Sequence, residues 1–428
     1  MSNLKIYQII EGLRSGSHPK DLLDLIDGLT GPQKKELFGS LTGGEAASIV
    51  EEMEEHQQAD LFRLLGEKIA PLILREMSSD DAVDLLGQLT RQEAQQLLEK
   101  VEQAPEYEGL LKYPEDTAGG IMTTELISLP ADIPVEEAIL RLREIAPRAE
   151  TIYYVYVVDE ESRLIGVLSL RDLIAATDGT LLKDIMRGNV ISVHASLDQE
   201  EVARVVSRYD LLAVPVIDDQ EHLLGIITVD DVLDVMEAEA TEDIYKLAGT
   251  GELEGVELVD ASVFQVVRHR LPWLMICMAG GFISGSVIGV FESTLEAIFV
   301  LAVFIPVIMD MGGNVGTQSS TIFIRGLATG EIKASEVRRY FLREIKIGAT
   351  IGLVCGGVVS AAAILWQGSM VLGLVVGVSM MSTVVLAAFI GILVPLLFDM
   401  AGLDPAITSG PLVTTIKDVT GLLVYFGI

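Results

Sequence analysis

From Leu271 to Phe291 the chain runs 21 residues without a charge. A helix needs roughly 20 apolar residues to cross a bilayer. This run is punctuated by Gly280, Gly281, Ser284, Gly285, Ser286 and Gly289, small residues that let helices approach closely in lipid. A second apolar stretch starts near Leu295 and reaches Leu327, with an interruption expected at Met311-Gly312-Gly313-Asn314. Others cover about Ile345 to Trp366, Val371 to Phe398 and Ala406 to Ile428. Five such runs in succession, with charge confined to their ends, describe a membrane domain of five helices rather than a soluble core.

Charge is divided just as sharply. Residues 1–260 hold 53 of the 62 acidic residues and 21 of the 30 basic ones, a net −32, whereas residues 261–428 hold nine of each. A half-chain at −32 repels itself, nucleic acid and anionic headgroups alike, and attracts divalent cations. A merely solvated acidic surface fits the composition equally well. Basic residues flank the first apolar run (Arg268, Arg270) and fill the loop between the second and third (Arg325, Lys333, Arg338, Arg339, Arg343, Lys346). Basic flanks stay cytoplasmic. The chain is therefore expected to be a multi-pass cell-membrane protein with its N-terminal half inside and its C-terminus outside. No leader with a basic stretch and apolar core is visible at Met1–Gly12, so the first 260 residues are expected to stay on the side of synthesis. Cys277 and Cys355 both lie in apolar runs and imply no disulfide framework.

Polar groups inside the spans carry the chemistry, because a carboxylate there costs about 2.5–3.5 kcal/mol unless it meets water, an ion or a partner. Asp310 is followed by Gly312, Gly313, Asn314, Gly316, Thr317, Gln318 and Ser319, a run expected to leave backbone carbonyls facing an aqueous path. In the last span Ser409, Thr414, Thr415 and Asp418 fall within ten residues. Thr414 and Asp418, four apart, share a helix face. Oxygen ligands of this kind suit a hard, partly hydrated cation such as Mg2+. The other reading pairs Asp418 with Lys417 or has it cap a helix. For Asp399 and Asp404 both readings stand.

The soluble half holds two repeats. Apolar anchors recur every 12 residues at Leu29, Leu41, Met53, Leu65, Met77 and Leu89, several followed by Thr or Ser in N-cap position (Thr30, Thr42, Ser78, Thr90). Short helices at a fixed period stack into a superhelix. Its acidic face (Glu51, Glu52, Glu54, Glu55, Asp80, Asp81, Asp84) is, on this segment alone, solvated surface. Residues 121–236 instead alternate strands and helices. Gly166-Val167-Leu168-Ser169-Leu170-Arg171-Asp172 and Gly225-Ile226-Ile227-Thr228-Val229-Asp230-Asp231 are 59 residues apart, a tandem duplication of one α/β module.

Those paired strands resemble CBS domains, in which the Ser/Thr and the Asp three residues later sit where a nucleotide binds. The whole chain resembles the MgtE family of magnesium channels. The resemblance is carried by Tyr113-Pro114-Glu115-Asp116-Thr117-Ala118-Gly119-Gly120-Ile121-Met122, Glu239-Ala240-Thr241-Glu242-Asp243, Gly312-Gly313-Asn314-Val315-Gly316-Thr317-Gln318-Ser319, and Asp404-Pro405-Ala406 with Thr414-Thr415-Ile416-Lys417-Asp418. It implies a multidomain membrane protein: an all-α superhelical N-terminal domain (1–120), an α/β tandem CBS pair (121–236), a linker helix (237–267) and a transmembrane domain (268–428). It implies a homodimer with one pore on the twofold axis, and a pore site of Asp418, Thr414, Asn314 and Asp310. Mg2+ would be sensed at Asp80, Asp84, Glu200, Asp210, Asp231, Asp234, Glu242 and Asp243. ATP, as a regulatory ligand, would meet Tyr154, Arg171, Asp172, Thr228 and Asp231. One superhelix position usually acidic in the family falls near Ser48. The competing readings are an ion-coupled secondary transporter of Co2+ or Mn2+ with nucleotide-sensing CBS domains, and a chloride carrier, against which Asp310 and Asp418 argue. The five histidines form no hydrolase cluster, and no phosphate loop or activated nucleophile is present, so nothing points to an enzyme.

Overall fold

A computed structural model describes residues 2–250, 261–333, 335–408 and 410–428. The chain divides into two compact units, Met1–Ala238 and Glu239–Ile428.

Among its described residues the first unit begins with nine α-helices: α1 (Ser2–Arg14), α2 (Leu23–Asp27), α3 (Gly31–Phe38), α4 (Gly43–Val50), α5 (Glu55–Leu65), α6 (Ala70–Leu74), α7 (Ser79–Gly87), α8 (Arg91–Leu98) and α9 (Ala104–Leu110). The 12-residue period sets their starts. Thr30, Thr42 and Thr90 each close a capping box with the residue three further on, so each helix begins where two orphan backbone donors are satisfied locally. Five of the six anchors (Leu29, Met53, Leu65, Met77, Leu89) are buried, and Leu41 is half-buried. Helices pack on their second neighbours, α3 on α5, α5 on α7, α7 on α9, and α4 on α6, α6 on α8. That alternation is the superhelix.

Two three-stranded sheets follow. Strand β1 (Ser128–Pro130) runs parallel to β2 (Tyr154–Val158), which is antiparallel to β3 (Leu164–Ser169). Strands β4 (Val193–His194), β5 (Ala213–Ile217) and β6 (Leu223–Thr228) repeat the order. Tyr154 pairs with Ser169 and Ala213 with Thr228, and each middle strand carries a register shift near its end, so the 59-residue duplication holds down to the bulge. Around the first sheet lie α10 (Val135–Ile145), α11 (Leu170–Ala175) and α12 (Leu182–Ile185); α13 (Gln199–Tyr209) and α14 (Val229–Leu247) belong to the second.

The cores do not follow the duplication. The first copy closes its own core around Ile127, Val155, Val157, Leu168 and Leu173. The second shares one continuous core with the superhelix, from Ile9 and Phe38 through Leu85 to Val214, Ile227 and Val232. The join is the segment Tyr113–Met122. Its Ala118 and Gly119 amides donate to the carbonyls of Leu197 and Ala195, at 2.7 and 2.8 Å. A Cβ on Gly120 would lie 2.3 Å from the Pro114 carbonyl oxygen, so only glycine lets this segment fold back on itself.

The second unit contains α15 (Val263–Val290), α16 (Glu292–Ala297), α17 (Val300–Ala328), α18 (Val337–Gln367), α19 (Met370–Met400) and α20 (Pro411–Gly427). Among the described residues four helices, α15, α17, α18 and α19, are long and apolar enough to cross a membrane. Two expectations change. The second span is not interrupted at 311–314: α17 is continuous across Gly312 and Gly313, with Thr383 of α19 packed 3.0 Å from where a Cβ on Gly312 would lie and open space at Gly313. The last span is shorter than 406–428. Pro405–Thr408 form a 3-10 turn, and α20 starts only at Pro411, giving 17 residues, about 26 Å at 1.5 Å per residue. Ser409 and the middle of the expected linker helix (251–260) lie outside the described residues.

Replacing Gly120 by alanine forces the Pro114 carbonyl aside. We expect it to destabilise the first unit by about 1–3 kcal/mol, the range for overpacking a tight site, as read by urea unfolding.

Candidate functional site

Two polar features stand out, one in each unit. In the first unit α5, α7, the Tyr113–Met122 segment and α14 enclose a cleft of about 470 Å³, lined by Glu51, Asp80, Asp81, Asp84, Asp231 and Asp234, with Glu115 and Asp116 at its edge. Local structure places these groups. Ser78 starts α7 and its hydroxyl donates to Asp81 at 2.7 Å, while its amide donates to Glu51 at 2.9 Å. Asp231 accepts from the Thr228 hydroxyl at 2.6 Å at the start of α14.

Water is scarce here, and the charges answer to that. Burial pushes Asp80 up to about 6, and the charge of Asp81 adds to the effect. Burial likewise raises Asp81 to about 6, and it raises Asp231 to about 7 with help from Asp80. Glu125 and Glu150 rise to about 7 by burial and by the field of Asp80. Asp234 is raised by its own burial, against a downward pull from Lys20. One oxygen of Asp80 is buried with no hydrogen-bond partner. Buried carboxylates without countercharge either take up protons or hold a cation. Among the described residues no three His, Cys, Asp or Glu side chains form a closed metal cage.

Four of the expected sensing residues, Asp80, Asp84, Asp231 and Asp234, therefore converge. Glu200 and Asp210 do not. Glu200 pairs with Arg204 at 2.7 Å, and Asp210 is the exposed left-handed C-cap of α13. Glu242 and Asp243 belong to the other unit. Sequence reading had left Glu51 and Asp81 as solvated surface; their place beside Asp231 depends on the superhelix docking to the second CBS copy, which no local pattern announces.

The two CBS signatures also differ. Ser169 donates to Asp172 at 2.6 Å as Thr228 does to Asp231. Asp172, however, is half-buried and is held below the usual carboxylate range by its hydrogen bonds from Ser169, with Arg187 and Arg171 nearby. Asp231 is drawn into the acidic cleft, which Tyr154, Arg171, Asp172 and Thr228 do not line.

In the second unit Asp310, Asn314, Thr317 and Gln318 are all exposed and fall on one face of α17. Asn314 donates to Asp310 at 3.3 Å. Beside them, α20 packs on α17, and Thr414 and Asp418 are half-buried. Thr415 faces the other way, against Gly280 of α15. Lys417 is buried and does not neutralise Asp418 by a direct ion pair. Its ammonium donates to the Gly313 carbonyl at 2.9 Å and the Thr317 hydroxyl at 3.1 Å. The approach is so close that a Cβ on Gly316 would lie 2.2 Å from the Lys417 Cδ, which accounts for the glycine at 316. The carbonyl expected to face water is, at Gly313, taken by lysine.

Two more groups escaped the sequence reading. Glu344 of α18 is buried and accepts from Ser319 at 2.8 Å. Lys246, near the end of α14, is forked between Glu242 and Asp404, donating to the latter at 2.7 Å. Burial alone would lower its pKa, but these two carboxylates outweigh that and raise it. Asp404 in turn caps the turn before α20 by accepting from the Ala406 amide at 2.7 Å.

Comparison with known proteins agrees with this division. A model of divalent cation transporters of the MgtE type matches residues 305–428, a model of the MgtE intracellular N domain matches 17–116, and the CBS domain model matches 118–179 and 182–238. The fold and its polar features thus define a multi-pass membrane transporter of divalent cations carrying regulatory CBS domains. Magnesium transporter MgtE of Thermus thermophilus is 42% identical over 96% of this chain and 92% of its own length, and that of Bacillus subtilis 37% identical over 96% and 91%. The chain belongs to the MgtE family of magnesium transporters. A crystal structure of the cytosolic domain of the Mg2+ channel MgtE in complex with ATP matches 53% of this chain and 92% of that one, at 42% identity and a TM-score of 0.50.

The raised carboxylates fix the sign of a pH effect. Their folded pKa values of about 6–7 exceed the unfolded values near 4, so the folded state holds more protons between those limits and stability falls as pH rises from about 4 to 7. In EDTA, the first unit should melt at a higher temperature at pH 6 than at pH 8. Saturating Mg2+ should shrink that difference.

Proposed function

We propose that this chain is a magnesium-selective channel that admits Mg2+ down its electrochemical gradient and is closed by Mg2+ bound to its own acidic cytoplasmic part. The proposed layout is the one expected from sequence: superhelical domain 1–120, CBS pair 121–236, linker 237–267 and membrane domain 268–428, with the N-terminus in the cytoplasm and the C-terminus outside.

The observation that carries this reading is the exposed polar face of α17. In hydrocarbon, Asp310, Asn314, Thr317 and Gln318 would each forfeit hydrogen bonds to water. Facing a second copy across a twofold axis, they and Thr414 and Asp418 of α20 would instead line a wet path. Mg2+ sheds water reluctantly and needs only one or two carboxylates, with carbonyls and hydroxyls meeting its retained waters. A homodimer with one Asp418 from each protomer satisfies that need. Lys417 supports the same role by clamping α20 to α17 while leaving Asp418 unpaired.

Closure follows from electrostatics. Mg2+ among Asp80, Asp84, Asp231 and Asp234, joined by Glu51 and Asp81, would replace repulsion by attraction and favour a compact cytoplasmic part. Glu200, Asp210, Glu242 and Asp243 remain candidates for contacts made only in the assembled dimer. Within the second unit, Lys246 ties Glu242 to Asp404 in the turn that starts α20. ATP is proposed as a regulatory ligand at Tyr154, Arg171, Asp172 and Thr228, with Asp231 shared between nucleotide and cation.

Two measurements test this. Asp418→Asn should lower Mg2+ current by about tenfold or more, from the roughly 1.5–3 kcal/mol of a charge-assisted contact; undiminished current would remove Asp418 from the pore. Neutralising Asp80, Asp84, Asp231 and Asp234 together should leave the channel open at millimolar cytoplasmic Mg2+, and unchanged closure would sink the sensing role. Metal uptake by liposomes without any current would point instead to an ion-coupled transporter of divalent metals.

A further inference from the structure

At the start of α18 and the loop before it the second unit has a cavity of about 1140 Å³ whose lining includes Arg338, Arg339, Arg343, Lys346, Ile347 and Ile351. All four cations are exposed, and among the described residues none has a hydrogen-bond or ion-pair partner. Glu331 and Glu336 also line the cavity, so cations exceed carboxylates four to two. Glu344, the remaining acid of this helix, is turned away, buried against Ser319.

Positive charge beside a membrane span is expected from topology alone. Topology does not require the charges to converge unpaired on one cavity. Nor does it require what lies next along the helix. Arg339, Arg343 and Lys346 share a face with Ile347 and Thr350, and beyond them Leu353, Val354 and Val358 are each more than half exposed. From Arg343 to Val354 the helix rises about 16 Å at 1.5 Å per residue. A surface that changes from unpaired cations to bare apolar side chains over that distance has the polarity of a phospholipid, headgroup first and acyl chains above.

We propose that this cavity binds the headgroup of an anionic phospholipid, with its acyl chains lying along Leu353, Val354 and Val358. The four cations meet the phosphate, Glu331 and Glu336 reduce the excess positive charge of the lining to two, and Ile347 and Ile351 receive the glycerol region. The occupant is a lipid of the leaflet that the α17–α18 loop faces. A cluster of four or more Lys and Arg immediately beside a span is a general form of such sites.

The test is native mass spectrometry of the full-length protein in detergent, titrated with phosphatidylglycerol or phosphatidylcholine. The wild type should retain phosphatidylglycerol in preference to phosphatidylcholine. Arg339→Gln/Arg343→Gln/Lys346→Gln should weaken that binding by about a hundredfold, since each surface cation is worth about fivefold toward an anionic headgroup. The charge-keeping variant Arg339→Lys/Arg343→Lys should retain it, as should Arg268→Gln/Arg270→Gln, which removes the other basic flank. Equal phosphatidylglycerol binding by wild type and triple variant overturns the proposal. So does unchanged lipid binding in a triple variant that alters closure by Mg2+, which would assign the cations to the acidic half of the chain, or that loses dimer mass, which would assign them to a second copy. Because the readout is lipid mass, its failure leaves the channel reading untouched, and failure of that reading leaves it intact.

Discussion

Carboxylates kept out of water without countercharge are the constraint around which this protein is organised. A buried charge costs several kcal/mol unless a proton, a partner or a metal meets it, and the cleft between superhelix and second CBS copy gathers four buried or half-buried carboxylates, Glu51, Asp80, Asp81 and Asp231, with Asp84 and Asp234 more exposed beside them. The hydrophobic core beneath them is continuous, so the acids are pressed together by apolar packing rather than by any attraction of their own. Apolar burial supplies a favourable energy that the acidic rim opposes, and cations or protons decide how much of it survives.

The membrane unit solves the opposite problem, holding polar groups in place where water is absent. Lys417 is its main tie. By spending its donors on the Gly313 carbonyl and the Thr317 hydroxyl, it binds two helices through a glycine gap and leaves the neighbouring carboxylate unpaired. Ser319 and Glu344 make a second such tie between α17 and α18. Both involve side chains that hydropathy alone would count as costs.

Much of the fold was legible because its signals are local. The 12-residue period, the capping threonines and the 59-residue duplication are all set by neighbours in sequence, and each survives in the structure down to the hydrogen bond. The glycine run of α17 misled, since glycine weakens a helix in isolation but here makes room for a lysine from another helix. Asp80, Asp84, Asp231 and Asp234 line one cleft, whereas Glu51 and Asp81 read as solvated surface from their own segment, and Glu344 and Lys246 carry no local signal. Glu51, Glu344 and Lys246 have partners 25 to 158 residues away, and only tertiary packing brings them near. The different fates of Asp172 and Asp231 were likewise invisible, because identical motifs meet different surroundings.

The polar face of α17 also bears on how such a protein is made. A lone chain released into lipid would turn Asp310, Asn314 and Gln318 toward acyl chains, an arrangement hydrocarbon resists. Insertion and the covering of that face are then a single problem for the cell, since a polar helix face is compatible with the bilayer only where protein or water meets it. Biogenesis would favour chains synthesised close together, and an unpaired chain would carry its own mark for removal in the form of unsolvated polar groups. Quality control in the membrane could recognise that mark without any dedicated signal in the sequence.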